Sequence, residues 1–422
     1  MIDIKKLREN PELFKKAAID KGYKLDFDKF LAMDAELLQL RQLLQDLATE
    51  KNAAGKAIGK MKDATERQGA IDRVAQLKDD EKKYNDGIAE LEPQFNEMML
   101  RIPQPASPDS PIGKDESENV VTRNWGDLPK FDFEPKDHIA LGTALGIIDQ
   151  ERGVKLSGSR FYVLKGDGCL LQRAIMALAH DMMVKKGFEP LSVPVITREE
   201  TFMGTGWFPE GKPQVYQIPE DDLFMIGTAE VPATSLYMNE ILDGEELPKK
   251  FVAQSLCFRR EAGAAGKDTA GLYRVHQFEK VEQVIICKND SAESEQWHQQ
   301  IVKNSEELMQ ALELPYRVLE ICTGDMGMAK YRMYDIETWM PSRDAYCETH
   351  SASNLQDFQA RRLNLRYRDE NKKVHFCHTL NNTVVASPRV LIPVLEQYQN
   401  ADGSIRIPKA LQPYMFGREV IK

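Results

Sequence analysis

Residues 257–282 read CFRREAGAAGKDTAGLYRVHQFEKVE. An apolar, strand-like run (Phe251, Val252, Leu256, Phe258) leads into it and delivers Arg259 and Glu261 to the mouth of a loop built on Gly263, Gly266 and Gly271. A second alternating run returns through Tyr273, Val275, Gln277, Phe278, Val281 and Glu282. The pattern predicts a β-hairpin that sets charged residues and an aromatic ring on a sheet face. Cations able to clamp a phosphate, a ring able to stack on a base and carboxylates able to hold an ammonium are the set that activating an amino acid with ATP demands.

The bulk numbers bound this reading. A chain of 422 residues, 42% hydrophobic, predicts two or more domains with a sizeable core. A net charge of −10 excludes a generally basic nucleic-acid binder, so any RNA contact must come from a local patch. The opening MIDIKKLREN has no apolar core and no run is long enough to cross a bilayer, so no membrane association and a cytoplasmic location are expected. The six cysteines are scattered without a C-x-x-C pair, which predicts reduced thiols and no structural zinc.

The first hundred residues predict an antiparallel helical arm. After an opening helix from Asp3 to about Ala18, interrupted at Asn10-Pro11, apolar positions recur in three- and four-residue steps. One series runs Phe30, Met33, Leu37, Leu40, Leu44, Leu47, Ala54, Ile58, Met61, and a second Ala70, Val74, Leu77, Tyr84, Ile88, Leu91, Phe95, Met98, Ile102. This is a coiled-coil seam over about 28–102, with the polar stretch 62–69 as its turn. Folded back, the series pair positions whose numbers add to 131 or 132, and the charged interruptions Lys51 and Glu81 then face each other and fix the register. Helices of roughly 30 residues give an arm about 45–50 Å long, and Pro93 should kink the second helix or end it early. Between residues 51 and 78 lie Lys51, Lys56, Lys60, Lys62, Arg67, Arg73 and Lys78 against three acids, a local basic patch.

Four prolines between Pro103 and Pro111 exclude helix and mark a linker, 104–115, between an N-terminal domain (1–103) and a second domain (116–422). In that second domain strands and helices are interspersed without a βαβ rhythm, so the expected class is α+β.

The quoted segment (about 251–285) resembles motif 2 of class II aminoacyl-tRNA synthetases, and its wording is most similar to seryl-tRNA synthetases: Phe-Arg-x-Glu, the Ala-Gly loop, Asp268-Thr269 and His276 to Glu282 occur in order. Residues 187–196 resemble motif 1, and Leu380 to Arg389 with the following helix (380–398) resembles motif 3. The resemblance implies an antiparallel sheet flanked by helices, carrying an N-terminal coiled-coil arm, and a homodimer built on motif 1. It implies L-serine, ATP with Mg²⁺, and tRNA(Ser), with tRNA(Sec) where present, as partners.

By the same resemblance Arg259, Arg389 and Glu348 are the catalytic residues. Arg259, Arg260, Glu261, Val275, Phe278, Glu348, Thr349, His350, Ser351 and Arg389 bind ATP. Thr228, Ala229, Glu230, Arg259, Glu282 and Thr383 bind serine; Glu348 and Ser351 hold Mg²⁺; and the seven basic arm residues grip the tRNA while the anticodon is left unread. Arg260 stands where the family usually has Ser, His350 where Ser is common, and Asn382 where Gly or Ala is usual, with Asn382 expected to narrow the pocket. Two other readings of such a chain are a paralogue loading a carrier protein, which would not need the basic arm, and a non-catalytic RNA-binding regulator, which would have lost Arg259, Arg389 or Glu348.

Overall fold

In a computed structural model, residues 1–263 and 271–422 are described. Gly266, Asp268 and Thr269 of the motif 2 loop lie outside the described residues. The chain forms two compact units, Tyr23–Ile102 and Met1–Gly22 with Pro103–Lys422.

The first unit is a pair of helices, α3 (Phe27–Ile58) and α4 (Ala64–Arg101), entered after α1 (Ile4–Glu9) and α2 (Pro11–Asp20) of the other unit. Lys51 and Glu81 do meet, 2.6 Å apart. Arg41 and Glu92 pair at 2.6 Å, whereas Phe30 stacks on Phe95 with centroids 4.9 Å apart and Arg73 reaches Glu50 at 2.9 Å. A single sum of 131 or 132 therefore does not describe the seam, and the turn is shorter and earlier than expected. Residues 64–69 are helical because Asp63 caps α4, its carboxylate accepting from the N–H groups of Thr65 and Glu66. An acceptor at the N-cap with Glu three residues on is a strong helix start. The helix also runs on through Pro93 to Arg101 rather than ending there.

Residues 1–22 belong with the second unit rather than with the arm, and buried polar groups explain why. Lys21 is 5% exposed and donates from Nζ to the carbonyls of Gly327, Met328 and Lys330 at 3.3, 3.5 and 2.6 Å. Arg361 pairs with Asp3 at 2.7 Å.

The core of this unit is an eight-stranded sheet. Its strands in chain order are β1 (Val120–Trp125), β2 (Glu189–Leu191), β3 (Lys249–Phe258), β4 (Gln277–Cys287), β5 (Tyr316–Glu320), β6 (Arg332–Met340), β7 (Ala345–Gln356) and β8 (His378–Ser387). Their spatial order is β1-β5-β6-β7-β8-β4-β3-β2, and every neighbouring pair is antiparallel except β2 with β3. One face packs on α5 (Asp167–Lys185), α6 (Ser291–Ala311) and α7 (Leu391–Gln397), burying Ile175, Val281, Ile285, Ile301, Leu308, Ile336, Leu380 and Val394. Alternation sends Phe251, Val284 and Ile286 to the opposite face, against Leu363 and Leu365. That second face is where the polar residues of the hairpin also point.

Candidate active site

Arg259 follows directly on β3. Its N–H donates to the His276 carbonyl and its own carbonyl meets His276 Nδ1, both at 2.9 Å, so the backbone there is clamped across the hairpin. The side chain donates from Nε to the Gly227 carbonyl at 3.4 Å, and its guanidinium carbon lies 5.3 Å from the Phe278 ring and 5.7 Å from that of Trp207. Along β4 the two-residue period places Phe278, Lys280 and Glu282 on this face. Lys280, 6% exposed, donates to the Thr228 hydroxyl at 2.7 Å and ion-pairs with Glu282. Thr383 of β8 is the cross-strand partner of Glu282 and donates to its carboxylate at 3.5 Å. Burial pushes the Glu282 carboxyl above the usual carboxylate range, against the pull of Lys280. Next to this group, Glu230 accepts from Gln359 and Asn381 at 2.8 and 2.9 Å.

A β-bulge builds the other half of the site. Glu348 pairs with Glu337 and His350 with Ile336, leaving Thr349 as an extra residue on β7, while Ser351 faces Asp335. In a regular strand, positions 348 and 351 would point to opposite faces; the inserted residue brings Glu348 and Ser351 to one face. Thr349 and His350 are absorbed on the other. The Thr349 hydroxyl meets that of Thr338 at 2.8 Å and the Ile336 carbonyl at 3.1 Å, and the His350 ring, 1% exposed, meets Thr349 Oγ1 at 2.8 Å.

Arg389 emerges after β8 and pairs with the Glu348 carboxylate at 3.2 Å, while donating to the carbonyls of Tyr273 and Glu348 at 3.3 Å each. Its guanidinium carbon is 4.5 Å from the Tyr273 ring centroid, and the Tyr273 hydroxyl donates to the Glu348 carbonyl at 3.2 Å. Behind Tyr273, His138 Nε2 accepts the Leu272 N–H at 3.2 Å, so its proton sits on Nδ1, which donates to the fully buried Glu396 at 2.7 Å. A Cβ on Gly271, at φ +87°, would come within 2.9 Å of that imidazole, so the return of the loop requires glycine.

With this geometry in place, comparison with known proteins gives one answer. Residues 214–398 match the tRNA synthetase class II core domain (G, H, P, S and T), and residues 1–105 match the seryl-tRNA synthetase N-terminal domain. The serine--tRNA ligase of Deinococcus radiodurans is 47% identical over 421 residues, covering 100% of this chain and 99% of the relative. The chain belongs to the seryl-tRNA synthetase family. The serine--tRNA ligase of Rubrobacter xylanophilus is 42% identical over 422 residues, covering 100% of this chain and 99% of that protein. The seryl-tRNA synthetase of Pyrococcus horikoshii, solved in complex with ATP, superposes with a TM-score of 0.94 at 39% identity over 100% of this chain and 99% of that one.

Against the residues expected of a seryl-tRNA synthetase, Arg259, Phe278, Thr228, Glu230, Glu282 and Thr383 come together, as do Glu348, Ser351 and Arg389. Ala229 is buried between Thr228 and Glu230. Glu261, at φ +49°, pairs with Arg274 at 3.3 Å across the loop, and Val275 is buried beside it. Arg260 donates to the Pro213 carbonyl at 3.3 Å. Two expectations need correction. The Thr349 and His350 side chains face the helix-covered side, because the bulge puts them there. Asn382 does not narrow the pocket: it donates to the Ile301 carbonyl and the Ser305 hydroxyl of α6 at 2.6 and 2.9 Å, on the far side of the sheet.

Four residues that carry the site were missed in the sequence. Lys280 stands at the same two-residue period as Phe278 and Glu282, and that period was the available signal. Asn381 and Gln359, which orient Glu230, carry no motif of their own. Asp335, across from Ser351, has a carboxyl raised well above its usual range, first by burial and then by Glu348, and its Oδ1 is buried without a hydrogen-bond partner.

That orphaned oxygen, with Glu348 and Ser351 on the same face, is a hard-oxygen surface that fits the Mg²⁺ expected with ATP. Among the described residues no three His, Cys, Asp or Glu side chains are grouped to hold a metal by themselves. Nor is any described helix long and apolar enough to cross a membrane.

Proposed function

We propose that this chain activates L-serine with ATP to seryl-adenylate and passes the seryl group to the 3′-hydroxyl of tRNA(Ser). The observation that carries this reading is the buried set Thr228, Lys280, Glu282 and Thr383 beside Arg259 in a seryl-tRNA synthetase scaffold. A pocket of buried donors and acceptors accepts a substrate hydroxyl and rejects an analogue lacking it, because those groups would be left unpaired.

In the first step the serine carboxylate attacks the α-phosphorus, an O–P bond forms, the bond to the β-phosphate oxygen breaks and pyrophosphate leaves. The nucleophile is already an anion, so the rate comes from orientation and charge neutralisation rather than from a general base. Arg259, whose backbone is clamped by His276, spans carboxylate and α-phosphate with its fork of donors. Arg389 takes the γ-phosphate, Phe278 stacks on the adenine, and Glu261 with the Val275 backbone holds the adenine edge. Glu230 and Thr228 hold the serine ammonium, and Glu282 and Thr383 read its hydroxyl. Mg²⁺ held by Glu348 and Ser351 would neutralise phosphate charge. In the second step the 3′-hydroxyl of the terminal adenosine attacks the carbonyl carbon, a C–O ester bond forms, the mixed-anhydride C–O bond breaks, and AMP leaves with the hydroxyl proton taken up by its phosphate. Lys56, Lys60, Lys62, Arg67 and Lys78 are exposed on the arm and offer cations to the tRNA backbone, with Lys51 and Arg73 also engaged by acids of the facing helix. A homodimer built on residues 187–196 completes the reading.

The test is ATP–pyrophosphate exchange with serine, alanine, threonine and glycine, followed by transfer of labelled serine to tRNA. Exchange and transfer with serine alone are expected. Exchange without transfer would point to a carrier protein as acceptor, and absence of exchange with every amino acid would overturn the catalytic reading.

A further inference from the structure

Trp207 stands outside the hairpin that carries Arg259, in the segment after the short helix Glu199–Thr205. Where that helix ends, the Trp207 and Phe208 N–H groups both donate to the Phe202 carbonyl, at 3.0 and 3.2 Å. Phe208 is fully buried, stacked on Phe202 with centroids 4.8 Å apart and set edge-on to Phe224 at 5.2 Å. The Trp207 carbonyl accepts from the Gly211 N–H at 2.7 Å, in a turn so tight that a Cβ at 211 would lie 2.5 Å from that oxygen. The backbone of Trp207 is thus fixed on both sides, and the centroid of its half-buried ring lies 5.7 Å from the Arg259 guanidinium carbon.

A second set of contacts docks the same segment on the loop just after Arg259. The Gln214 side chain donates to the Ala262 carbonyl at 2.7 Å and accepts the Ala262 N–H at 3.0 Å. The Gln214 carbonyl accepts the Arg260 N–H at 2.8 Å, and the Arg260 guanidinium donates to the Pro213 carbonyl at 3.3 Å. An aromatic cluster at one end and paired amides at the other therefore hold residues 207–214 against residues 259–262.

Two rings lie within cation–π range of one guanidinium, Trp207 and Phe278. They are not equivalent. Phe278 is the ring assigned to the adenine, so it is shared with the nucleotide, whereas Trp207 comes from a separate segment and attends to Arg259. The Arg259 Nε–H is committed to the Gly227 carbonyl, and a guanidinium held by Nε and by a ring has the direction of its outer fork set. A bound ground-state ligand can draw a loose cation toward it, but the charge that develops at the α-phosphorus is stabilised most by a fork already aimed.

We infer that Trp207 is a positioning residue for the adenylation step, aiming the Arg259 fork, and that Gln214 keeps its segment docked for that task. This rests on the reading above that Arg259 spans the serine carboxylate and the α-phosphate.

The test is steady-state ATP–pyrophosphate exchange with serine on the full chain, with melting temperatures measured beside it. Trp207→Leu should lower kcat about tenfold to thirtyfold, the scale of a desolvated cation–π contact, while the KM values for ATP and serine stay within about threefold of wild type. Trp207→Phe, which keeps a ring, should recover kcat to within about threefold of wild type. Arg259→Lys, which loses the planar fork, should be slow by itself, and adding Trp207→Leu to it should lower kcat by less than about threefold more, because the ring then has no fork to aim. Gln214→Ala, at an exposed contact that leaves the aromatic cluster intact, should lower kcat in the same direction by about threefold, and decides the matter should Trp207→Leu not fold. Wild-type kcat in either Trp207→Leu or Gln214→Ala, or a multiplied loss in the double variant, would overturn the proposal. Wild-type chain without serine-dependent exchange would overturn the functional reading, and this proposal with it.

Discussion

At the scale of single residues, His350 has the chemistry of a base and the surroundings of a core residue. Its burial holds the imidazole pKa down at about 3, whereas in an unfolded chain a histidine titrates near 6.5. Between those values the unfolded chain takes up a proton that the folded one refuses, so stability is complete above 6.5 and is lost progressively as the pH falls toward 3. Each pH unit in that window costs up to about 1.4 kcal/mol from this residue alone. His350→Ser should therefore flatten the fall of melting temperature between pH 6 and pH 4. It should not abolish it, because His378 is also held down, to about 4, by burial. Serine-dependent exchange at pH 7.5 should change by less than about threefold. A variant with the wild-type acid slope, or one without exchange, would contradict the placement of this ring outside the chemistry.

At the scale of elements, the bulge in β7 decides which of its side chains share a face. Inserting one residue between Ile336 and Glu337, opposite Thr349, would restore a regular register and turn either Glu348 or Ser351 away from the site. Exchange should fall by at least about 100-fold, the order expected when a transition-state charge contact is lost, while circular dichroism keeps the wild-type strand signal. Nothing in residues 345–356 announces this bulge, since the stretch contains neither Gly nor Pro to mark it. The motif was therefore legible but the direction of its middle residues was not. The same limit explains Asn382: a run of polar residues in a strand buried on both faces shows its period only once the partner strands are known. The arm shows the converse. Its heptad pattern and the meeting of Lys51 with Glu81 were readable, because seam positions follow from a fixed repeat. Its turn was misplaced because a polar stretch weighed more than the Asp63 cap that starts the next helix.

At the scale of the whole molecule, the chain departs from the expected sequence of one domain after another. The prolines from Pro103 to Pro111 look like a boundary, yet residues on both sides of the arm belong to one compact unit. Lys21 and the Gln104 N–H reach the same Met328 carbonyl, at 3.5 and 2.9 Å, so the chain leaves and re-enters this unit at neighbouring points. Replacing Tyr23–Ile102 by a short Gly-Ser linker should leave a folded protein that performs serine-dependent exchange at a rate within about tenfold of wild type and charges tRNA hardly at all. Loop-closure cost is small when the ends are already adjacent. Removing residues 1–102 outright should instead give insoluble or unstable protein, as the carbonyls of Gly327, Met328 and Lys330 lose the buried ammonium that satisfies them. Equal behaviour of the two truncations in expression and exchange would rule this out. The helical arm is thus topologically an insertion within a discontinuous catalytic body. A grafted arm of different length or surface charge can then be exchanged like a cassette between Gly22 and Pro103, without rebuilding the site it serves.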